Sequence, residues 1–446
     1  MSVRVASLFA SVAAVTCILN PATAADLAAK KAIKAPPPVA VWDWTGLYAG
    51  GYAGLGIQRS HGSDPTGATG PGEVEFIGAG AAAGGTLGYN YQIGPAWLIG
   101  IEGDFGYLGL DRKFTDYFPD QNFNSKSSWI GTLRGRVGYT GGGPTLSYLT
   151  GGAAWVHFTD VNDGSRFGND VVESSLNSSG YTWGTGTETR LGGNWTAKAE
   201  YLFVDVGDGD LLTSPNVRGP EQVDKHRYQL VKYGVNYLFG GRPEPALPPH
   251  NWSGAFAGII GGSAVTSTRG SDPTGAVIGD INNNGSGFSL GGLAGFNWQI
   301  SPTLVAGVEG DIDWLGIDHD SHDYFDNPSS LGVKTDWMAT ARARFGYSTG
   351  PALLYVTGGA AWINVRDSFQ GSASLGGGPL VSSSKTLAGA AFGGGIESPF
   401  LLPGWTTRSE YLFVDVGHGD TLQTGGDSLR ADHDFHLFRT ALLRKF

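Results

Sequence analysis

Residues Gly100–Asp111 read GIEGDFGYLGLD, and with Ile99 ahead of them two rows separate. Ile99, Ile101, Phe105 and Tyr107 fall on one side; Gly100, Glu102, Asp104 and Gly106 fall on the other. A period of two is the mark of a β-strand, whose successive side chains point to opposite faces. The unusual feature is the placement of charge, because two carboxylates sit midway along a strand whose other face is aromatic. The same division recurs downstream. Leu133, Val137 and Tyr139 oppose Thr132, Arg134 and Arg136. Ala197, Ala199, Tyr201 and Phe203 oppose Lys198, Glu200 and Leu202; Val231, Tyr233, Val235, Tyr237 and Phe239 oppose Lys232 and Asn236.

The opening stretch also occurs twice. Gly100–Asp111 returns as Gly307–Asp318 (GVEGDIDWLGID), Tyr148–Val156 as Tyr355–Ile363, and Glu200–Asp210 as Glu410–Asp420. Ser63–Ala68 recurs at Ser271–Ala276, and Trp44-Thr45-Gly46 at Trp252-Ser253-Gly254. The displacement is 207 residues for Gly100 and 210 for Glu200, so a whole domain is duplicated; a solenoid would repeat at 20–50 residues. A Pro-rich stretch precedes each copy, Lys34–Val39 and Arg242–Pro249, and such stretches are extended, semi-rigid spacers.

Alternation places eight strands in each copy. They fall near 45–58, 79–93, 97–111, 128–140, 145–160, 181–192, 195–206 and 226–239, and again near 253–266, 287–300, 304–317, 335–348, 352–366, 386–397, 405–416 and 433–446. Gly94-Pro95, Gly141–Pro144 and Gly192–Asn194 are tight turns, with the residues that turns demand. The connections 59–78, 112–127, 161–180 and 207–225 are long and polar. A sandwich has no reason to keep its long loops at one end. An outer-membrane barrel does, with short turns in the periplasm and long loops outside.

The charged face decides for the barrel. In the first copy the inward set is Glu102, Asp104, Glu188 and Glu200 with Arg134, Arg136, Arg190, Lys198 and Lys232. In the second it is Glu309, Asp311, Asp313, Glu397 and Glu410 with Arg342, Arg344, Arg408 and Arg439. Each set balances to within one charge, as a sealed interior requires, since an unpaired buried charge costs several kcal/mol. An eight-stranded lumen is about filled by its own side chains, and lipid demands the complete backbone pairing that closure supplies. The fold expected is therefore all-β, a transmembrane antiparallel up-and-down barrel as two tandem eight-stranded units; one sixteen-stranded barrel is the alternative. The segments are a leader at 1–24, a Pro-rich periplasmic stretch at 25–43, the first barrel at 44–239, a Pro-rich linker at 240–251 and the second barrel at 252–446.

Composition agrees. The chain of 446 residues holds 73 Gly, and 15% of it is charged, against about 25% in ordinary domains. With 13 Trp, 17 Tyr and 22 Phe it is too aromatic for disorder. A net charge of −11 without basic clusters argues against nucleic acid. The lone Cys17 excludes a disulfide scaffold. Arg4, the apolar run Val5–Leu19 and Ala22-Thr23-Ala24 read as a secretory signal peptide with its cleavage site. No later apolar run reaches the ~20 residues of a membrane helix.

The exported start Ala25–Leu27 and the landmarks Trp44–Tyr48, Gly88–Gln92, Leu133–Tyr139, Thr150–Trp155, Glu200-Tyr201 and Phe239, these last with counterparts in the second copy, carry a resemblance. The chain resembles the small Gram-negative outer-membrane β-barrel proteins of the opacity-protein-like, porin-family surface antigens, which include immunogenic and haemin-binding members. The resemblance implies an eight-stranded barrel, location in the bacterial outer membrane and no catalysis; the role read from the whole chain is envelope structure and surface exposure. The terminal Phe446 is the aromatic by which such barrels address the assembly machinery. A single sixteen-stranded ring would instead make a general diffusion porin for small hydrophilic solutes.

Candidate chemistry is sparse. His319 and His322 in the Asp318–Asp323 loop, with His433 and His436 and with His418, would gather at one rim of the second copy, where imidazoles could hold a metal ion or haemin; the plainer reading is a solvated acidic loop. Glu102 with Asp104 and Glu309 with Asp311 could be acid–base pairs, though Arg partners make them structural. The Gly-rich stretches Gly78–Gly88 and Gly287–Gly295 lack the Lys-Ser/Thr and helix of a phosphate loop. No Ser-His-Asp order or zinc spacing stands out. The reading is a non-enzymatic surface barrel with no required cofactor.

Overall fold

The computed structural model describes residues 42–63, 73–115, 122–163, 170–214, 221–240, 250–274, 280–322, 330–371, 378–400 and 402–446. The leader, the Pro-rich approach up to residue 41 and the linker at 241–249 lie outside these. No helix occurs among the described residues.

The first copy is built from β1 (Gly46–Ser63), β2 (Glu73–Ile93), β3 (Trp97–Thr115), β4 (Asn122–Tyr139), β5 (Thr145–Asp163), β6 (Val171–Gly192), β7 (Trp195–Asp205), the short β8 (Leu211–Leu212) and β9 (Glu221–Leu238). The second comprises β10 (Gly254–Ser271), β11 (Asp280–Gln299), β12 (Leu304–His322), β13 (Ser330–Ser348), β14 (Leu353–Gln370), β15 (Val381–Pro399), β16 (Trp405–His418), the short β17 (Leu422–Thr424) and β18 (Asp427–Lys445). Neighbours in sequence pair antiparallel, β7 with β9 and β16 with β18 included. Each ring then closes on itself. β1 pairs with β9 from Tyr48–Leu238 to Ser63–Gln222, and β10 with β18 from Phe256–Lys445 to Ser271–Arg430. The closure is thus two eight-stranded barrels, not one ring of sixteen. β8 and β17 only extend the long-loop ends, pairing with β9 and β18.

The strands outrun expectation at one end. β2 begins at 73 and β6 at 171, where alternation had suggested 79 and 181. A spanning strand needs ~9–11 residues, and the 21 residues of β2 extend to about 70 Å at ~3.3 Å per residue. Much of each polar segment first read as loop is therefore sheet continuing past the bilayer. At the start of β6 the outward Glu173, Ser175, Asn177 and Ser179 are exposed.

Glycine allows the tight curvature. A Cβ at inward-facing Gly54 would collide with the Val231 carbonyl of β9, and one at Gly152 with the Leu133 carbonyl of β4. Gly94 and Gly193 hold positive φ (74° and 56°) in the short turns, a conformation that costs other residues energy.

The outer walls carry the aromatic row. Phe105 is 62% exposed, Leu149 68% and Val356 64%, a pattern suited to hydrocarbon. One stripe departs from the expected lipid contact. Ile57, Val231, Ala197 and Ala199 of the first barrel, and Val265, Phe438 and Ile396 of the second, are buried because the two outer walls pack on each other.

Candidate functional site

The lumens hold the ionic residues, and both are filled in layers. At the short-turn mouth of the first barrel, Trp44 packs with Trp42, Leu98, Leu146 and Tyr148. Its amide donates to Gln92 Oε1 at 2.8 Å and its indole to the Gly143 carbonyl at 3.4 Å. Arg190 is buried at this mouth. It lies 4.6 Å from the Trp44 ring and donates to the Asp43 carbonyl at 2.5 Å. In the second barrel Trp252 takes the same place against Val305 and Leu353, its indole donating to Ser348 Oγ at 3.0 Å.

Above the mouth lies the ion lattice. Arg134 sits 2.5 Å from Glu102, 2.6 Å from Asp104 and 3.1 Å from Glu200. Lys198 lies 2.8 Å from Glu102, Lys232 lies 2.9 Å from Asp104 and 3.3 Å from Glu200, and Arg136 lies 3.1 Å from Glu188. Tyr48 and Tyr148 donate to Glu102 and Glu200 at 2.8 and 2.7 Å. The carboxylates of Glu102, Asp104 and Glu200 come within 4.8 Å of one another, close enough to hold a cation, but Arg134, Lys198 and Lys232 already supply the positive charge. Adjacent register explains the assembly: Glu102 pairs with Arg134 across β3–β4, Glu188 with Lys198 across β6–β7, and Glu200 with Lys232 across β7–β9.

The second lattice repeats this with substitutions. Arg342 lies 2.6 Å from Asp311, 3.2 Å from Glu309 and 3.1 Å from Glu410. Arg408 lies 2.7 Å from Glu309 and 3.0 Å from Glu397, which Arg344 also approaches at 3.0 Å. Arg439 reaches Glu410 at 2.5 Å, Asp311 at 3.1 Å and Asp313. Asp313 stands where the first copy has Gly106.

An apolar layer follows, which the sequence reading did not assign. Leu108, Leu110, Ile130, Val156, Phe158, Leu202, Val204 and Leu230 fill the first lumen, and Leu315, Ile317, Met338, Ile363, Leu412 and Phe435 belong to its counterpart. Beyond it is a buried polar layer. Ser60 Oγ lies 3.1 Å from His226 Nδ1, and His226 Nε2 lies 3.0 Å from Asp160 Oδ2. Thr268, His433 and Asp367 repeat the chain at 3.0 and 3.2 Å. The order Ser-His-Asp had escaped the sequence because its members lie on three separate strands. Ser60 also accepts from Gln58 at 3.0 Å, and Ser60 and His226 are fully buried. One signal was available. His226 has the parity of Lys232, and Asp160 that of Thr150, so both had to point inward.

The expected rim of imidazoles is not assembled among the described residues. His433 is buried in the lumen on Asp367. His436 points to the other face of β18, where Tyr411 lies 2.9 Å from its Nδ1. His319 is half-buried near the end of β12, and the side chain of His322 lies outside the described residues. Exposed His418 sits 3.7 Å from Asp432. Nearby Asp420 accepts from Lys385 at 2.7 Å and Ser383 at 2.8 Å, which holds its carboxyl below the usual range. Phe446 is 78% exposed at the chain end, and its amide closes the ring on the Ala255 carbonyl at 2.9 Å.

Aromatic outer walls, closed antiparallel rings and interiors locked by paired charge define a transmembrane β-barrel protein of the bacterial outer membrane, made in duplicate. The chain belongs to the outer membrane protein beta-barrel domain family, whose model matches residues 24–239 and again 249–439. It is similar to the 31 kDa outer-membrane immunogenic protein of Brucella melitensis biotype 1, at 31% identity over 222 residues, 45% of this chain and 86% of that one. Among solved structures it is similar to Neisserial surface protein A (15% identity, 43% of this chain and 99% of that one, TM-score 0.23) and the Pseudomonas putida toluene transporter TodX (11%, 90% of each, TM-score 0.26).

Proposed function

We propose that the protein is a non-enzymatic structural component of the outer membrane, two plugged barrels that span the bilayer and display their long-loop ends at the cell surface. The observation that carries this is the layered filling of both lumens. A pore needs a continuous aqueous path, and here a Trp mouth, a paired ion lattice and an apolar layer succeed one another along the axis. An apolar constriction of this kind bars ions by dewetting. The same filling argues against diffusion of hydrophilic solutes. The dispersal of His319, His433 and His436 argues against a haemin or metal site. Phe446, exposed at the chain end, serves delivery to the barrel-assembly machinery in this reading. The test is single-channel recording of the full chain in planar bilayers. Little or no steady current is expected, and reproducible large open steps would overturn the proposal.

A further inference from the structure

The seam between the barrels is bound at two levels. Toward the long loops, Ile57 and Val231 pack with Val265 and Phe438, and Arg59 donates to Ser286 Oγ at 3.0 Å. Toward the short turns, Ala197 and Ala199 pack with Ile396. The walls also part, leaving a cleft of 1030 Å³ that reaches Tyr233 and Tyr411 at one level and Ala197 and Ile396 at the other. Ala53 and Ala83, paired across β1–β2, line its first wall; Phe345 and Val356, paired across β13–β14, line the second.

We propose that this cleft is a binding site for an acyl chain of an outer-membrane lipid. Depth comes first. Phe345 lies between lattice residue Arg344 and Gly346 on β13, so the cleft stands at the level of the buried ions, within the bilayer. There the surrounding phase is hydrocarbon, and an unfilled apolar volume forfeits dispersion contacts on both walls. Shape comes second. Small residues interrupt the large side chains on both walls, Gly51, Ala53 and Ala83 on the first and Gly346, Gly394 and Gly395 on the second, which makes a slot suited to a slender chain, and its size matches the upper end of ligand clefts, ~300–1,000 Å³. Chemistry comes third. The lining offers few polar groups beyond tyrosine hydroxyls, and the Tyr233 hydroxyl lies 3.4 Å from the Gly394 carbonyl, so a polar solute finds little to bind. Leu304 and Leu191 carry the cleft to residues beside the short turns, which places the lipid headgroup on the periplasmic side.

Native mass spectrometry of the full chain in detergent tests this, with 1-palmitoyl-2-oleoyl-phosphatidylethanolamine as the probe. The parent protein is expected to retain one lipid. Ala53→Trp with Ala83→Trp fills the slot and should cut that occupancy at least tenfold, whereas Leu149→Trp on β5, the strand opposite β1 in the ring, should leave it unchanged. Should the double variant fail to fold, Val356→Trp fills the slot from the other wall and carries the same expectation. No retained lipid on the parent, or equal retention in parent and filled variants, overturns the proposal.

Discussion

Replacing Arg134 by Met leaves a hole in the first ion lattice that nothing nearby can fill. The guanidinium contacts three carboxylates, Glu102, Asp104 and Glu200, at 2.5 to 3.1 Å, and all three side chains are buried. Lys198, Lys232 and Arg136 remain against four carboxylates, Glu188 beside Arg136 being the fourth, so the lattice carries one negative charge too many. Breaking a buried pair by removing one partner costs ~3–5 kcal/mol. A second route caps the cost. One carboxyl can take up a proton, and from an ordinary Glu value of ~4.3 this costs about 3.7 kcal/mol at pH 7, at 1.36 kcal/mol per pH unit. The expected loss is therefore about 3–4 kcal/mol at pH 7. It should shrink by about 2.7 kcal/mol at pH 5, because protonation is cheaper there. Glu102→Gln added to Arg134→Met restores the balance and should recover most of the loss at pH 7. The assay is urea unfolding of the full chain in lipid vesicles, followed by Trp emission. With two separately closed rings, only the first copy's transition should move. A loss under ~1 kcal/mol, an equal loss at pH 5 and 7, or no recovery in the double variant would refute the reasoning.

Three further outcomes follow from the packing. Gly152→Ala places a methyl against the Leu133 carbonyl and should cost ~1–3 kcal/mol as overpacking does, whereas outward Gly151→Ala, whose nearest neighbour is 3.5 Å away, should be nearly neutral in the same unfolding assay. Trp44→Ala empties the short-turn mouth and should cost ~3–5 kcal/mol in the first copy's transition, with Trp252→Ala moving only the second. Gly106→Asp meets the Tyr52 hydroxyl, so alone it should lower the folded fraction on refolding into vesicles. Combined with Tyr52→Ile and Lys232→Arg it copies the second barrel and should recover part of that fraction, and purely additive effects would count against coupling of these positions.

The ion lattice was legible because charge in the middle of an aromatic-faced strand has one physical resolution, and the alternation says which side it takes. Glu102, Arg134, Glu200 and Lys232 needed only a period of two and a closed ring to meet. The apolar layer was hidden by an ambiguity of the same alternation. Leu108, Val156 and Val204 are apolar residues in apolar-looking strands, and composition does not separate a lumen Leu from a lipid-facing one. Position does, since each has the parity of an inward polar residue nearer the short-turn end: Leu108 that of Glu102 and Asp104, Val156 that of Thr150, Val204 that of Glu200. The barrel-on-barrel seam was beyond such reasoning, because Ala197 and Ala199 are as suitable against lipid as against Ile396. Closure as two rings had indirect support, from the long Pro-rich linker at 240–251 and from charge balance within each copy, and comparison of the lattices gives the second argument its physical content. Where the first lumen holds Tyr52, Gly106 and Lys232, the second holds Ile260, Asp313 and Arg439. The added carboxylate is met by a guanidinium that spans Glu410, Asp311 and Asp313, and the space left by the missing phenol lies on the same inward face. Each copy thus adjusts charge and volume within its own ring, the behaviour of two interiors that close separately.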